Sequence, residues 1–144
     1  MSSGNDQART LRKFSPVTDS GSSDHVTSKS AFPELQVTPS EKSMRGHVYG
    51  AAGGKGIPNE GELYIPLRTM DGWKAGQLYQ VAEVRRPLCS IAKLCDNGNR
   101  VLFGRGGGIV QNLRNGHCTP FRREGSIYVM DLYVDVDAPF RGPG

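Results

Sequence analysis

The sequence predicts an all-β, barrel-like domain with one short helix, and three observations support that prediction. Short apolar segments rich in β-branched and aromatic residues recur along the chain. Glycine-rich or Asn-Gly turns separate them, and only residues 90–98 have a helical pattern. The length of 144 residues suits one domain with a modest core. We therefore expect a domain over 11–137, a disordered lead-in at 1–10 and a flexible tail at 138–144.

In the first half of the chain, the pattern predicts strands joined by glycine turns. A weak strand over 11–17 leads into Asp19, and Pro16 restricts it to a sheet edge or a bulge. Segments 44–49 and 62–67 flank a glycine-rich stretch, which predicts a long hairpin with a mobile tip. A further strand is expected over 77–84.

In the second half, a short helix precedes a run of strands. Ser90 is a suitable N-cap for the helix, and Asn97-Gly98 is a suitable stop. Strands are predicted over 101–103, 109–113 and 118–121, and the strongest over 126–136. The segment 101–103 has the apolar composition of a buried strand.

Charge and cysteine content limit the class of protein. The formal net charge is +4 with a sequence pI near 9.1, and the arginines are dispersed, which is typical of a solvated surface but compatible with nearby RNA. Three cysteines provide no disulfide framework and favour a reducing compartment. With no membrane-length apolar run and no signal-peptide pattern at the start, we expect a cytoplasmic, non-secreted protein that does not bind membranes.

The segment Asp19-Ser20-Gly21 is the strongest candidate for a catalytic site. A carboxylate can do acid–base work, while small neighbours let backbone amides and a hydroxyl approach it. In isolation, the same three residues are typical of a surface turn. The order of the segments that follow favours the catalytic interpretation.

Those segments resemble the retropepsin family, the homodimeric aspartyl proteases of retroviruses and retrotransposons. The stretch 19–25, Asp-Ser-Gly-Ser-Ser-Asp-His, is similar to the active-site motif of copia-type retrotransposon polyproteins. The hairpin sequence Ile-Pro-Asn-Glu-Gly-Glu at 57–62 and the step Leu-Cys-Ser-Ile at 88–91 are also similar to that region. The likeness extends over roughly residues 17–136, most of one domain. It implies a retropepsin-like closed β-barrel.

The resemblance also implies an aspartic endopeptidase that cleaves its own polyprotein. Asp19, Ser20 and Gly21 would form the catalytic turn, and a homodimer would supply the second carboxylate, because the motif occurs once. The glycine-rich tip, Gly53-Gly54-Lys55-Gly56, would close over a peptide substrate as a flap. No metal or other cofactor is implied.

Other functions are weaker matches to the residues. Residues 49–56 lack the first glycine and the final Ser/Thr of a phosphate-binding loop. Cys89, Cys95 and adjacent His117-Cys118 have poor zinc spacing, so Cys89 and Cys95 are expected in the core. His25 is expected on the surface or in a loop, because no Ser or Cys nucleophile is paired with it in a recognisable pattern. The alternative function is a non-catalytic retropepsin-like barrel that serves as a binding module or associates weakly with RNA.

Overall fold

The computed structural model describes residues 11–50 and 54–135, and strands dominate this part of the chain. The all-β prediction is therefore confirmed. The predicted lead-in at 1–10 and tail at 138–144 lie outside the described residues. In chain order the strands are β1 (Leu11–Phe14), β2 (Val17–Asp19), β3 (Val26–Thr27), β4 (Val48–Tyr49), β5 (Ile57–Pro58), β6 (Gly61–Ile65), β7 (Leu67–Arg68), β8 (Gln77–Val81), β9 (Leu88–Ser90), β10 (Asn99–Phe103), β11 (Gly107–Asn112), β12 (Cys118–Glu124), β13 (Ile127–Met130) and β14 (Leu132–Asp135).

Helical structure is short in the described ranges, but it includes one α-helix more than predicted. The predicted helix spans Ile91–Asp96, and the Ser90 hydroxyl accepts its capping hydrogen bond from the backbone N–H of Lys93. The second α-helix spans Glu41–Met44, in a segment whose last residue was assigned to a strand. Ser40 and Ser43 form a capping box there, and such a local pair starts a helix without an apolar periodicity. A 3₁₀ turn covers Lys29–Ala31.

The predicted closed barrel is not what the described residues form. The main sheet has nine strands in the order β10-β11-β12-β13-β2-β9-β3-β8-β6, and its two edge strands, β10 and β6, do not pair with each other. A second sheet has the order β1-β14-β7, and β4 pairs with β5 as a separate hairpin. Segment 11–17 thus contributes one strand to each larger sheet, because the chain breaks at Ser15-Pro16, where proline cannot donate a ladder hydrogen bond.

The predicted strand 126–136 is likewise divided. It breaks at Asp131, so β13 lies in the nine-stranded sheet and β14 lies in the three-stranded sheet. The carboxylate of Asp131 explains the break, because it accepts hydrogen bonds from the Ser15 hydroxyl (3.0 Å) and the Arg122 guanidinium (2.7 Å). The hydrogen bond between Ser15 and Asp131 therefore joins the two points at which the chain passes from one sheet to the other.

The core lies between these sheets and holds alternate residues of the strands. In β6, Leu63 and Ile65 are buried while Glu62 and Tyr64 are half-exposed, as a strand with one buried face requires. Edge-on ring contacts join Phe14 to Phe32 and Tyr79. The remaining buried apolar residues of the cluster include Leu67, Val81, Cys89, Leu94, Val110, Phe121, Met130, Leu132 and Val134.

Two features of strand β10 and its neighbours differ from the sequence prediction. Leu102 and Phe103 are about half exposed, although their composition predicted a buried strand, because β10 is an edge strand of the sheet. Phe121 takes the inner position instead and lies against Gly108, where an added Cβ would come 2.4 Å from its ring. Glycine at 108 is therefore required by packing.

Over the described ranges, none of the helices has the length and apolar character needed to cross a bilayer.

Candidate functional site

Asp19 occupies the last position of β2, where the strand opens into a half-exposed turn. Its carboxylate Oδ1 accepts a hydrogen bond from the backbone N–H of Gly21 at 2.8 Å. A Cβ at Gly21 would lie 3.3 Å from that oxygen, so a larger residue would crowd the carboxylate. Ser20 is exposed at the tip of the turn. The predicted catalytic residues thus lie together, with the Asp19 carboxylate held in place and facing accessible space.

Ser90 closes the turn from the neighbouring strand. Strands β2 and β9 are parallel, and Asp19 pairs in register with Ser90. The Ser90 hydroxyl donates to the carbonyl oxygen of Ser22 at 2.6 Å, and its backbone N–H donates to Nδ1 of His25 at 2.9 Å. The segment 19–25 is therefore bound at two points to the start of the helix Ile91–Asp96, which limits how far the Asp19 turn can move.

His25 lies in the loop between β2 and β3, in line with one of the two predicted placements, but it is buried and not on the surface. Its ring is 4% exposed and stacks on Tyr79 with 5.0 Å between ring centroids. Because Nδ1 accepts from Ser90, the neutral ring carries its proton on Nε2, and Nε2 has no hydrogen-bond partner among the described residues. Burial, assisted by the positive charge of Lys93, lowers the pKa of His25 to about 4. His25 is a neutral structural element at ordinary pH.

Asp24 is buried beside His25 and ionised. Its Oδ2 accepts hydrogen bonds from the Lys42 ammonium and from the Tyr49 hydroxyl, the latter at 3.0 Å. Burial opposes ionisation, but these hydrogen bonds and the positive charges of Lys42 and Lys93 outweigh it and lower the pKa of Asp24. The carboxylate therefore binds the helix Glu41–Met44 and strand β4 to the turn that follows Asp19.

The base of the β4–β5 hairpin belongs to the same polar network. Asn59 follows β5, and its Nδ2 donates to the Tyr49 hydroxyl (3.0 Å) and to Oε1 of Gln80 (2.9 Å). Its Oδ1 accepts from the Ser40 hydroxyl at 3.0 Å and from the Gly61 N–H at 2.9 Å. Burial and the neighbouring Asp24 charge raise the pKa of Tyr49 to about 12, so its hydroxyl remains a donor. All of these bonds fix the base of the hairpin.

The hairpin tip is the predicted substrate-binding segment. Of its four residues, Gly53 lies outside the described residues, while Gly54 and Lys55 are exposed. An added Cβ at Gly54 would meet no atom within 4 Å, whereas at Gly56 it would lie 1.8 Å from Cγ1 of Val48. Glycine is thus required by packing at 56, close to the paired strands, and not at 54. A hairpin does flank the glycine-rich stretch, but it is shorter than predicted: Val48–Tyr49 pairs with Ile57–Pro58, whereas β6, within the predicted second arm at 62–67, pairs with β8.

Sequence reasoning missed the residues that connect these parts. Lys42, Tyr49, Asn59 and Gln80 were not predicted to have a site role, although they join the hairpin to Asp24. The signal available was the placement of polar residues next to strands with apolar neighbours, since a buried polar group requires a partner. That signal shows that partners exist, but it does not identify them.

The cysteines and histidines do not assemble a metal site in the described ranges, where no cluster of three or more His, Cys, Asp or Glu side chains could hold an ion. Cys89 is buried, as predicted, and burial raises the pKa of its thiol to about 12. Cys95 was expected in the core but is exposed, because it lies on the outer side of the helix Ile91–Asp96.

Comparison with known proteins found no matching family model, curated protein or solved structure.

Proposed function

We propose that this chain is a retropepsin-like aspartic endopeptidase that acts as a homodimer. The observation that carries the proposal is the Asp19 turn: a carboxylate at the end of a strand, bound by the Gly21 N–H and flanked by Ser90 on the parallel strand. The buried network behind it supports the same function, because a catalytic carboxylate works best on a rigid support. The proposed substrate is a peptide segment of a polyprotein, in a cytoplasmic particle.

The mechanism requires two Asp19 carboxylates facing each other across a two-fold axis. Two like charges at contact distance resist ionising together, so the pair holds one proton. The ionised carboxylate takes a proton from a water molecule, which attacks the scissile carbonyl carbon. The protonated carboxyl donates a hydrogen bond to the carbonyl oxygen. Ser20 is exposed beside Asp19, and in such a dimer its hydroxyl would hydrogen-bond across the two-fold axis.

The β4–β5 hairpin is the proposed flap. Its base is anchored through Tyr49 and Asn59, while Gly54 and Lys55 at its tip are exposed. An element that is fixed at one end and free at the other can close over an extended peptide and exclude water from the reaction. The alternative, a non-catalytic module that binds through a basic surface, has no support at Arg122, which is paired with Asp131 and Glu124.

The decisive experiment replaces Asp19 with Asn in a precursor extended at both ends. Asparagine keeps the size and the hydrogen-bond acceptor for Gly21 but cannot carry the charge that activates water, so cleavage should fall by at least roughly a thousandfold. Cleavage is followed by electrophoresis and mass spectrometry across pH, and sedimentation reports the dimer. Wild-type activity should rise below neutrality and fall once both carboxyls are protonated.

Asp96→Asn is the matched control, since Asp96 is an exposed carboxylate at the end of a helix. It should leave cleavage and sedimentation unchanged. Cleavage by Asp19→Asn at the wild-type rate would disprove the catalytic proposal. A folded wild-type dimer that cleaves nothing at any pH would favour the non-catalytic module instead.

A further inference from the structure

A cleft of about 170 Å³ lies at the C-terminal end of the helix Ile91–Asp96, and no residue of the Asp19 turn lines it. Its floor is apolar, and its walls carry amide, hydroxyl and aromatic side chains. None of the described residues that line it is Asp, Glu, Lys or Arg. The lining residues used here are Trp73, Gln77, Asn97, Asn99, Asn112, His117 and Thr119. The volume is below the 300 Å³ or so of drug-sized sites, so it suits one ring-sized neutral group.

An aromatic pair forms one wall of this cleft. Trp73 and His117 stack with 4.4 Å between ring centroids and 17° between ring planes. His117 is held by its ring nitrogen Nε2, 2.9 Å from Oδ2 of Asp71, and the Trp73 backbone N–H donates to the Thr69 hydroxyl at 3.0 Å. Trp73 is still 44% exposed, so its ring offers a surface that His117 does not cover. A planar ligand can stack on such a surface.

The opposite walls carry amide groups with unused hydrogen-bonding capacity. Gln77 uses its oxygen to accept from the Tyr79 hydroxyl, and Asn112 uses its oxygen for two backbone N–H groups, so neither NH₂ group has a partner among the described residues. Asn99 donates to the Leu94 carbonyl and keeps its oxygen open. The Asn97 amide and the Thr119 hydroxyl make no hydrogen bond within the described residues. Both donors and acceptors are therefore available among the residues that line the cleft.

We propose that this cleft binds a nucleobase, stacked on Trp73 and hydrogen-bonded at its edge by the carboxamides. Asn and Gln side chains pair with base edges because both present a donor beside an acceptor in one plane, and aromatic rings stack on every base. The cations Lys74 and Arg114 are exposed, and they lie one and two residues along the chain from the lining residues Trp73 and Asn112. They would meet the phosphate that accompanies a base, in a nucleotide or in a single strand. This proposal is independent of the proteolytic one.

The test uses the chain's single tryptophan, whose indole N–H gives one resonance in a ¹H–¹⁵N spectrum. The full-length chain is titrated with adenosine, guanosine, cytidine and uridine, and with glucose as a polar ring without a planar π-face. The Trp73 resonance should shift saturably with at least one nucleoside and not with glucose. Absence of a saturable shift with all four nucleosides at millimolar concentration overturns the proposal, as does an equal response to glucose.

Variants then separate edge recognition from non-specific stacking. Asn97→Ala and Thr119→Val each remove hydrogen-bonding atoms from the wall and should weaken nucleoside binding by roughly three- to tenfold. Gln36→Ala is the matched control, because Gln36 is an exposed amide outside the cleft, and its affinity should equal that of the wild type. Unchanged affinity in both cleft variants would mean that the base edge is not recognised and would refute the assignment.

A last comparison identifies the source of the base. A short single-stranded RNA and an abasic strand of equal length are added in separate titrations. Tighter binding by the RNA than by the nucleoside, with no Trp73 shift from the abasic strand, assigns the cleft to a strand. Equal affinity for nucleoside and RNA assigns it to a free nucleotide.

Discussion

Two polar regions of this molecule use their hydrogen-bonding groups in opposite ways. Around Asp24, the carboxylate, hydroxyl and amide groups bond to one another, and Asn59 alone makes four such bonds. Around Trp73, the amides of Asn97, Asn99 and Asn112 keep donors or acceptors open toward the cleft. A network whose capacity is used internally positions other groups, whereas open capacity is available to a ligand. Mutations in the two regions should therefore lower the free energy of unfolding by different amounts.

The largest cost is expected at Asp24. Asp24→Ala removes the acceptor for Lys42 and Tyr49, so the Lys42 charge loses its carboxylate and the Tyr49 hydroxyl, which still accepts from Asn59, loses the group to which it donates. Because the Lys42 side chain is 26% exposed and can turn toward water, the free energy of unfolding should fall by about 3 kcal/mol rather than more. Urea unfolding of the Asp19→Asn protein, with and without Asp24→Ala, measures the difference; the Asp19→Asn background is used because self-cleavage would disturb the measurement. The exposed Asp96→Ala should leave the midpoint nearly unchanged.

Acid should weaken the same region through His25. Its pKa is lowered from 6.5 to about 4 in the folded chain, so between those values the unfolded chain binds a proton that the folded chain does not. Stability is therefore complete above about pH 6.5 and declines as the pH falls toward 4, by about 2 kcal/mol. Asp24, whose folded pKa is also lowered, adds a further loss below about pH 4.

Urea midpoints measured from pH 7 to pH 4 check this expectation. His25→Gln should remove most of the decline, because glutamine can accept from the Ser90 N–H without titrating. His47→Gln should keep the decline, since His47 lies half-buried beside Tyr49 and its replacement leaves the hydrogen bond between Ser90 and His25 in place. A midpoint that is constant over this range in the wild type would contradict the assigned role of His25.

Substitutions of the two hairpin glycines should differ in their effect on stability, by less than the losses expected at Asp24 and His25. Gly56→Val places a side chain against Val48 and should cost about 1–2 kcal/mol of stability, while Gly54→Val has open space and should cost little. If the tip acts as a flap, Gly54→Val should still lower turnover, because a β-branched residue restricts the backbone. Thermal unfolding and peptide cleavage measure the two effects. Normal turnover by a folded Gly54→Val protein would indicate a simple connector.

The smallest stability effect is expected in the cleft. Asn97→Ala removes an amide that has no hydrogen-bond partner in the described part of the chain, and it should change the free energy of unfolding by no more than about 0.5 kcal/mol. The helix end before it depends on Gly98, whose φ of +86° favours glycine, and not on the Asn97 side chain. A fall of more than about 1.5 kcal/mol in the free energy of unfolding, measured in urea, would show that this amide is structural. The proposed difference between the two polar regions would then be wrong.

Elements governed by neighbours in the chain were predictable, and those governed by distant partners were not. The turn at Asp19, the Ser90 cap and the β4–β5 hairpin depend on residues within a few positions of one another. The helix at Glu41 also depends on local capping, but its four residues are too few to produce an apolar period. The burial of His25 was missed for a different reason, because its partner Ser90 lies 65 residues away.

By itself, the sequence determined the β class, the Asp-Ser-Gly turn and the glycine-rich hairpin, because residue preferences and short-range sterics decide such features. Only the tertiary structure decided that Asp19 pairs with Ser90, that Asp24 binds Lys42 and Tyr49, and that the sheet stays open. These outcomes depend on which buried polar groups meet across the core and on how strands from distant segments order themselves. Composition and periodicity indicate that a buried polar residue needs a hydrogen-bond partner. Which residue is that partner depends on how distant segments pack in the folded chain.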